Sequence, residues 1–181
     1  MGFSVLLISY RGYGQSEGNF PTEDQVYADA EAAWNYLVKK KGIRSEDIFI
    51  YGHSLGGAVA INLAISHPEA KGLIVEATFT SITEMGRLHK LYGLLPLGLI
   101  AHQRFDSISK IERLKIPVLF LHGTEDSVVP FTMSRKLYDR APSPKRLKLI
   151  SGGGHNNSAS VGAAEYLKSV REFIRMVHKE V

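Results

Sequence analysis

The chain contains no cysteine. Disulfides, thiolate metal sites and a cysteine nucleophile are therefore excluded, and a cytoplasmic, reducing location is the expectation. Long apolar runs are also missing. The longest stretch worth testing, Leu91 to Ala101, is interrupted by Pro96 and falls well short of the ~20 residues a membrane helix needs. The apolar run Val5 to Ile8 has no basic segment before it and no cleavage signal after it, so it does not read as a signal peptide. There is no block of like charge. The net charge is +4, and the densest basic groups, Lys39-Lys40-Lys41 and Lys145-Arg146, suit a helix end and a solvated surface, so nothing calls for nucleic acid. No repeat and no low-complexity linker divides the 181 residues. With 44% apolar and 22% charged residues, one globular domain over 1–181 is expected.

The chain alternates two kinds of segment. Val5–Ser9, Asp47–Tyr51, Gly72–Ala77 and Ile116–Leu121 are short apolar runs that read as buried strands, and Arg146–Ile150 reads as an outer strand. Between them lie helical patterns. Thr22 and Gln25 form a capping box ahead of Val26, Ala30, Ala33, Trp34, Leu37 and Val38, and Lys39–Gly42 ends that helix. Further helices are expected over Leu55–Ser66, Pro130–Arg140 and Val161–Val177. Strands alternating with helices imply an α/β fold with a mostly parallel sheet flanked by helices. Residues 79–112 are the least regular part and are read as a small lid, with "LYGLLPLGLI" as core packing or an acyl-receiving surface.

Ligands of such sheets bind beyond the carboxyl ends of the strands. At the end of the second run stands Gly52-His53-Ser54-Leu55-Gly56, a G-x-S-x-G between strand and helix. That context presents a serine hydroxyl on a sharp turn, with helix N-terminal amides beside it for a developing oxyanion. The bare pattern is weak, and a phosphate cradle is the other use of such a turn, but no lysine follows as in a P-loop. A serine needs a base, and the base needs an orienting group. Two further strand ends supply candidates, Asp126 in "HGTED" and His155 in "SGGGH". Alone, Asp126 reads equally as a helix cap and His155 as a loop residue. Glu125 is the competing acid, and His53 is a poor base because neighbouring side chains at a sharp turn point apart. Together Ser54, Asp126 and His155 lie on one rim in the order Ser…Asp…His of the α/β-hydrolase plan.

The stretches "VLLISYRGYGQSEG", "IFIYGHSLGGAVAINLA", "GLIVEATFTSI", "FDSISKI", "IPVLFLHGTEDSVVP" and "GGGHN" together resemble the α/β-hydrolase superfamily, and within it the small serine hydrolases of the bud-emergence type. The resemblance spans nearly the whole chain. It implies Ser54 as nucleophile, Asp126 as acid, His155 as base and the Leu55 N–H as one oxyanion donor. It implies a small-molecule acyl ester as substrate, with no cofactor or metal. Family members carry further strands before the one matching Val5–Ser9, and a His-Gly loop that gives the second oxyanion donor. One of those strands lies between the counterparts of Val5–Ser9 and Asp47–Tyr51, so an N-terminally truncated sheet with a gap is expected. A second chain filling the gap would make a homodimer. Alternatively, Val5–Ser9 shifts inward to pair with Asp47–Tyr51, and a backbone N–H of Tyr10 or Arg11 becomes the second oxyanion donor. The expected activity is serine hydrolysis of an ester or thioester. The competing expectation is a catalytically impaired remnant of the fold that acts by association.

Overall fold

The computed structural model describes residues 2–88 and 103–179. Four strands, β1 (Phe49–His53), β2 (Gly72–Glu76), β3 (Val118–Gly123) and β4 (Lys145–Ile150), form one sheet in the order β1-β2-β3-β4. All three pairings are parallel, with Phe49 opposite Gly72, Leu73 opposite Val118 and Val118 opposite Lys145. β2 and β3 are buried along their whole length, which is why they read as unbroken apolar runs. Successive side chains go to opposite faces. Leu73, Val75, Val118 and Phe120 pack with Trp34, Ile61 and Leu137 on one face. Ile74, Leu119 and Leu121 pack with Phe173 and Val177 of the C-terminal helix on the other.

The helix α1 (Glu23–Asn35) starts at the expected capping box. Thr22 Oγ1 accepts from the Gln25 N–H, and Gln25 Oε1 accepts from the Thr22 N–H at 2.9 Å. It runs into a wide turn over Tyr36–Lys40 and stops before Gly42, whose φ is +67°. α2 (Leu55–Ser66) follows β1 directly, and α3 (Ile82–Leu88) follows β2. The helix expected over Val161–Val177 is instead Ser158–Val161 and Ala163–Lys179. The break falls at Gly162, where a Cβ would stand 2.3 Å from Ile150 Cγ2 of β4. Two strands begin two residues late. Ser45–Asp47 is a 3-10 turn ahead of β1, and Pro117, lacking an N–H, precedes β3. Of the region read as a lid, residues 89–102, including "LYGLLPLGLI", lie outside the described residues.

One strand expectation fails. Residues 2–10 form no strand, and no ladder hydrogen bond joins residues 4–9 to residues 47–52. The inward shift of Val5–Ser9 therefore does not occur. Val5 is 75% and Leu7 87% exposed, whereas Leu6, Ile8 and Tyr10 form one wall of a groove of about 150 Å3. Its other wall is Ile48–Tyr51, and α1 and α2 make its floor. The turn after Tyr10 holds the segment outboard. The Arg11 guanidinium bonds the Asp29 carboxylate of α1 with Nε–Oδ1 at 2.9 Å. The Gly12 N–H reaches Glu17 O at 3.1 Å, and at Gly12, φ +72°, a Cβ would lie 2.3 Å from Asn19 O. Despite its strand-like composition, Val5–Ser9 joins no ladder among the described residues, because the outer edge of β1 is not brought to it.

Hydrogen exchange tests this. The amides of Val5, Leu6, Leu7 and Ile8 should exchange at near-unprotected rates, while those of Val118–Leu121 exchange only through global opening. Slow exchange at residues 5–8 would mean that they are paired.

Candidate active site

The sharp turn between β1 and α2 places Ser54. Its φ of 54° and ψ of −120° are costly for a residue with a Cβ, by roughly 1–3 kcal/mol, so the surroundings must enforce them. Three hydrogen bonds do so: Ser54 N–H to Glu76 O at 2.9 Å, Thr78 Oγ1–H to Ser54 O at 2.9 Å and Gly57 N–H to Ser54 O at 2.9 Å. The flanking glycines serve close packing here. A Cβ on Gly52 would stand 2.1 Å from Gly56 O, and one on Gly57 would stand 2.5 Å from Thr78 Cβ. Leu55 is the first residue of α2, so its N–H has no intrahelical acceptor.

The loops after β3 and β4 bring the other two residues to Ser54. His155 Nε2 lies 3.0 Å from Ser54 Oγ, and His155 Nδ1 lies 2.8 Å from Asp126 Oδ2. The Asp126 side chain is fully buried and that of His155 is 11% exposed. Glu125 points to solvent, which removes it as the competing acid. The loops lock to each other. Gly152 N–H donates to Thr124 Oγ1 at 3.0 Å and Glu125 N–H to Gly153 O at 2.8 Å, while within the second loop Gly154 N–H donates to Asn157 Oδ1 at 2.6 Å.

Asp126 is surrounded by donors. Oδ1 accepts from Val128 N–H and Val129 N–H, both at 2.8 Å, and Oδ2 accepts from His155 and from His122 Nε2 at 3.1 Å. Burial pushes its proton affinity up, but the hydrogen bonds from His122, His155 and Val129 outweigh it. The carboxyl is held well below the usual carboxylate range.

Two site histidines had no assigned role in the sequence reading. His53 is not a base for Ser54. Its Nε2–H donates to the His155 carbonyl at 2.8 Å, with the two rings 4.9 Å apart. His122, expected just past the strand Ile116–Leu121, is instead within β3 and bonds the Asp126 carboxylate directly. Its position four residues before Asp126, at a strand end, was the available signal. Arg11 fails as an oxyanion donor, because its N–H donates to Asp29 Oδ2 at 2.9 Å. The backbone route from Tyr10 required the strand pairing that does not form. Tyr10 reaches α2 through its side chain instead, its hydroxyl 3.8 Å from the Cβ position of Gly56. Burial, first, and the nearby Asp29 push its phenol up to about 12, so it stays protonated. No group of three or more His, Asp or Glu side chains suited to a metal ion occurs among the described residues. No helix among them is long and apolar enough to cross a membrane.

A parallel sheet flanked by helices, with a serine on the turn between β1 and α2, defines a member of the α/β-hydrolase superfamily. Within it, the chain belongs to the family described as serine aminopeptidase, S33, whose model matches residues 1–105 and 100–158. It is 38% identical over 174 residues to an uncharacterized protein of Mycobacterium tuberculosis, covering 96% of this chain and 60% of that one. It is 34% identical over 173 residues to human alpha/beta hydrolase domain-containing protein 17B, covering 94% and 56% respectively. The chain thus spans 56–60% of the length of these curated relatives. Among solved structures, an esterase of Pyrococcus furiosus superposes with a TM-score of 0.78 at 20% identity, over 93% of this chain and 68% of that one. A monoacylglycerol lipase of Paleococcus ferrophilus gives 0.61 at 20% identity, over 82% and 75%. At that identity, the likeness shows the fold alone.

The depressed proton affinity of Asp126 predicts a pH-dependent stability difference. A carboxyl whose folded affinity is below its unfolded one contributes fully above the unfolded pKa of about 4 and loses that contribution as pH falls toward the folded value. Asp126→Asn should therefore lower the denaturation midpoint at pH 7, and the gap to wild type should narrow steadily below about pH 4. Urea titrations at pH 7, 4 and 3 would measure it, and a gap independent of pH would show that Asp126 is not preferentially ionised in the fold.

Proposed function

We propose that this chain is a serine hydrolase that cleaves a carboxylic ester or thioester through an acyl-enzyme on Ser54. The observation that supports it most is the unbroken hydrogen-bonded series Ser54 Oγ–His155 Nε2 at 3.0 Å and His155 Nδ1–Asp126 Oδ2 at 2.8 Å. His155 takes the Ser54 proton as Oγ attacks the acyl carbon. The carbonyl electrons move to oxygen, where the Leu55 N–H receives the charge. His155 then protonates the leaving alcohol or thiol as the C–O or C–S bond breaks. Water, deprotonated by the same ring, attacks the ester on Ser54 and releases the acid and the free serine. Asp126 keeps its charge throughout and stabilises the imidazolium. The sequence calls for no cofactor. The substrate is a small acyl ester, and the protein acts in the cytoplasm.

The Leu55 N–H is one oxyanion donor. Loss of one of two donors costs on the order of 10²–10³ in turnover, so a second donor sets how fast this chain works. The family is one of serine aminopeptidases, and similar solved structures include an esterase and a monoacylglycerol lipase. A panel of short and long acyl esters, acyl thioesters and aminoacyl amides separates these substrate classes.

A second reading rests on the outer edge of β1, which pairs with no other strand among the described residues, and on the apolar groove beside it. In that reading the protein acts by association, and a second copy covers the groove as a homodimer.

A fluorophosphonate probe should label Ser54, and turnover of a short-chain nitrophenyl ester should vanish in Ser54→Ala. Asp126→Asn should reduce kcat by roughly 10⁴, through loss of the correct imidazole tautomer. A folded protein that resists labelling and shows the same background rate as Ser54→Ala would favour the association reading, which sedimentation of the dimer would then test.

A further inference from the structure

We infer that His122, fixed by Ser134, is a positioning residue for the catalytic acid; the inference rests on the serine-hydrolase reading above. His122 and Ser134 are both fully buried, and the proposed steps at Ser54 use neither. His122 Nε2 faces two acceptors, Val129 O at 2.9 Å and Asp126 Oδ2 at 3.1 Å. A carbonyl only accepts, so Nε2 carries the hydrogen and shares it between them. In the neutral ring Nδ1 is then the acceptor, and Ser134 Oγ–H donates to it at 2.6 Å. The helix Phe131–Arg140 therefore fixes the tautomer of a ring on β3. That ring in turn fixes the carboxylate orienting His155.

The chemical consequence follows from Oδ2 serving two donors at once. The hydrogen bond from His122 withdraws electron density from the oxygen that receives His155 Nδ1–H. It keeps Asp126 ionised and tempers its pull on the His155 proton. A base that must take a proton from Ser54 and then release it to the leaving group works best when neither direction is strongly favoured. His122 sets this balance without touching substrate. Among the described residues, the ionisable groups near the pair are these. His155 comes from the loop after β4, and Glu125, on the adjoining loop, points to solvent. His53 at the end of β1 bonds the His155 carbonyl rather than the carboxylate. Arg135 and Lys136 of the helix Phe131–Arg140 are exposed.

The test combines spectroscopy with kinetics. In 15N-labelled wild type, long-range proton–nitrogen spectra should show His122 protonated at Nε2 with Nδ1 accepting; a hydrogen on Nδ1, with or without one on Nε2, overturns the assignment, whatever the activity. In His122→Phe, the His155 Nδ1–H resonance should move downfield and the acid limb of the kcat/KM profile should move to higher pH, because Oδ2 of Asp126 now serves His155 alone. kcat should fall about tenfold, which is ~1.4 kcal/mol of barrier, with KM unchanged. His122→Gln, which returns an N–H near the Nε2 position, should restore the resonance, the limb and most of the rate. Ser134→Ala keeps the ring and should shift the resonance the same way by less, so the assignment stays testable if His122→Phe fails to fold. A folded His122→Phe or Ser134→Ala with the wild-type resonance overturns the inference. Absence of Ser54-dependent turnover in wild type overturns the hydrolase reading instead, and leaves the spectroscopic result to judge the His122 geometry.

Discussion

The close approach of β1 to α2 is the constraint from which the candidate site is built. At Gly52 the strand lies so near the first turn of the helix that a single added carbon would collide with the Gly56 backbone. That approach leaves no relaxed path for the chain between them, so Ser54 takes a backbone conformation a side chain rarely adopts. Thr78 and Glu76, from the end of β2, hold the strained peptide by hydrogen bonds that cost nothing in flexibility at the hydroxyl. The strain is borne by the sheet, and the serine side chain stands clear of it.

The parallel sheet does the rest of the assembly. Because all four strands run the same way, the loops after β1, β3 and β4 emerge on one rim. Ser54, Asp126 and His155 are far apart in the chain, yet they meet there at hydrogen-bond distance. Asp126 is the junction of this arrangement. Its four donors come from its own loop, from β3 and from the loop after β4, so the carboxylate knits the rim together as well as orienting His155.

The outer edge of β1 shows the opposite situation. The apolar segment Val5–Ile8 and the strand β1 face a common groove without exchanging a hydrogen bond. Among the described residues, neither finds a strand partner on that side. The Arg11–Asp29 pair and the turn at Gly12 anchor the segment to α1, and this local geometry prevails over its preference for a ladder.

Much of this protein was legible in its residues. Unbroken apolar runs at Gly72–Ala77 and Ile116–Leu121 announced central strands, because only strands covered on both faces are apolar throughout. Thr22 and Gln25 announced the start of α1, because the capping box is a contact between residues three apart. G-x-S-x-G between a strand and a helix, with an acid and a histidine at later strand ends, announced the rim and its three polar residues. What sequence could not decide were contacts between distant parts of the chain. The Arg11 N–H was a free donor on paper, and Asp29 takes it. Val5–Ser9 had every local property of a strand, and only the position of β1 withholds the partner. His53 and His122 looked like bystanders. One holds the His155 carbonyl and the other holds Asp126, because those bonds exist only once three separate loops and a helix have been packed around one sheet edge. Local pattern determines which elements form, since it depends on near neighbours. Which hydrogen bonds those elements finally exchange depends on the packing of the whole chain, and the tertiary structure alone decides it.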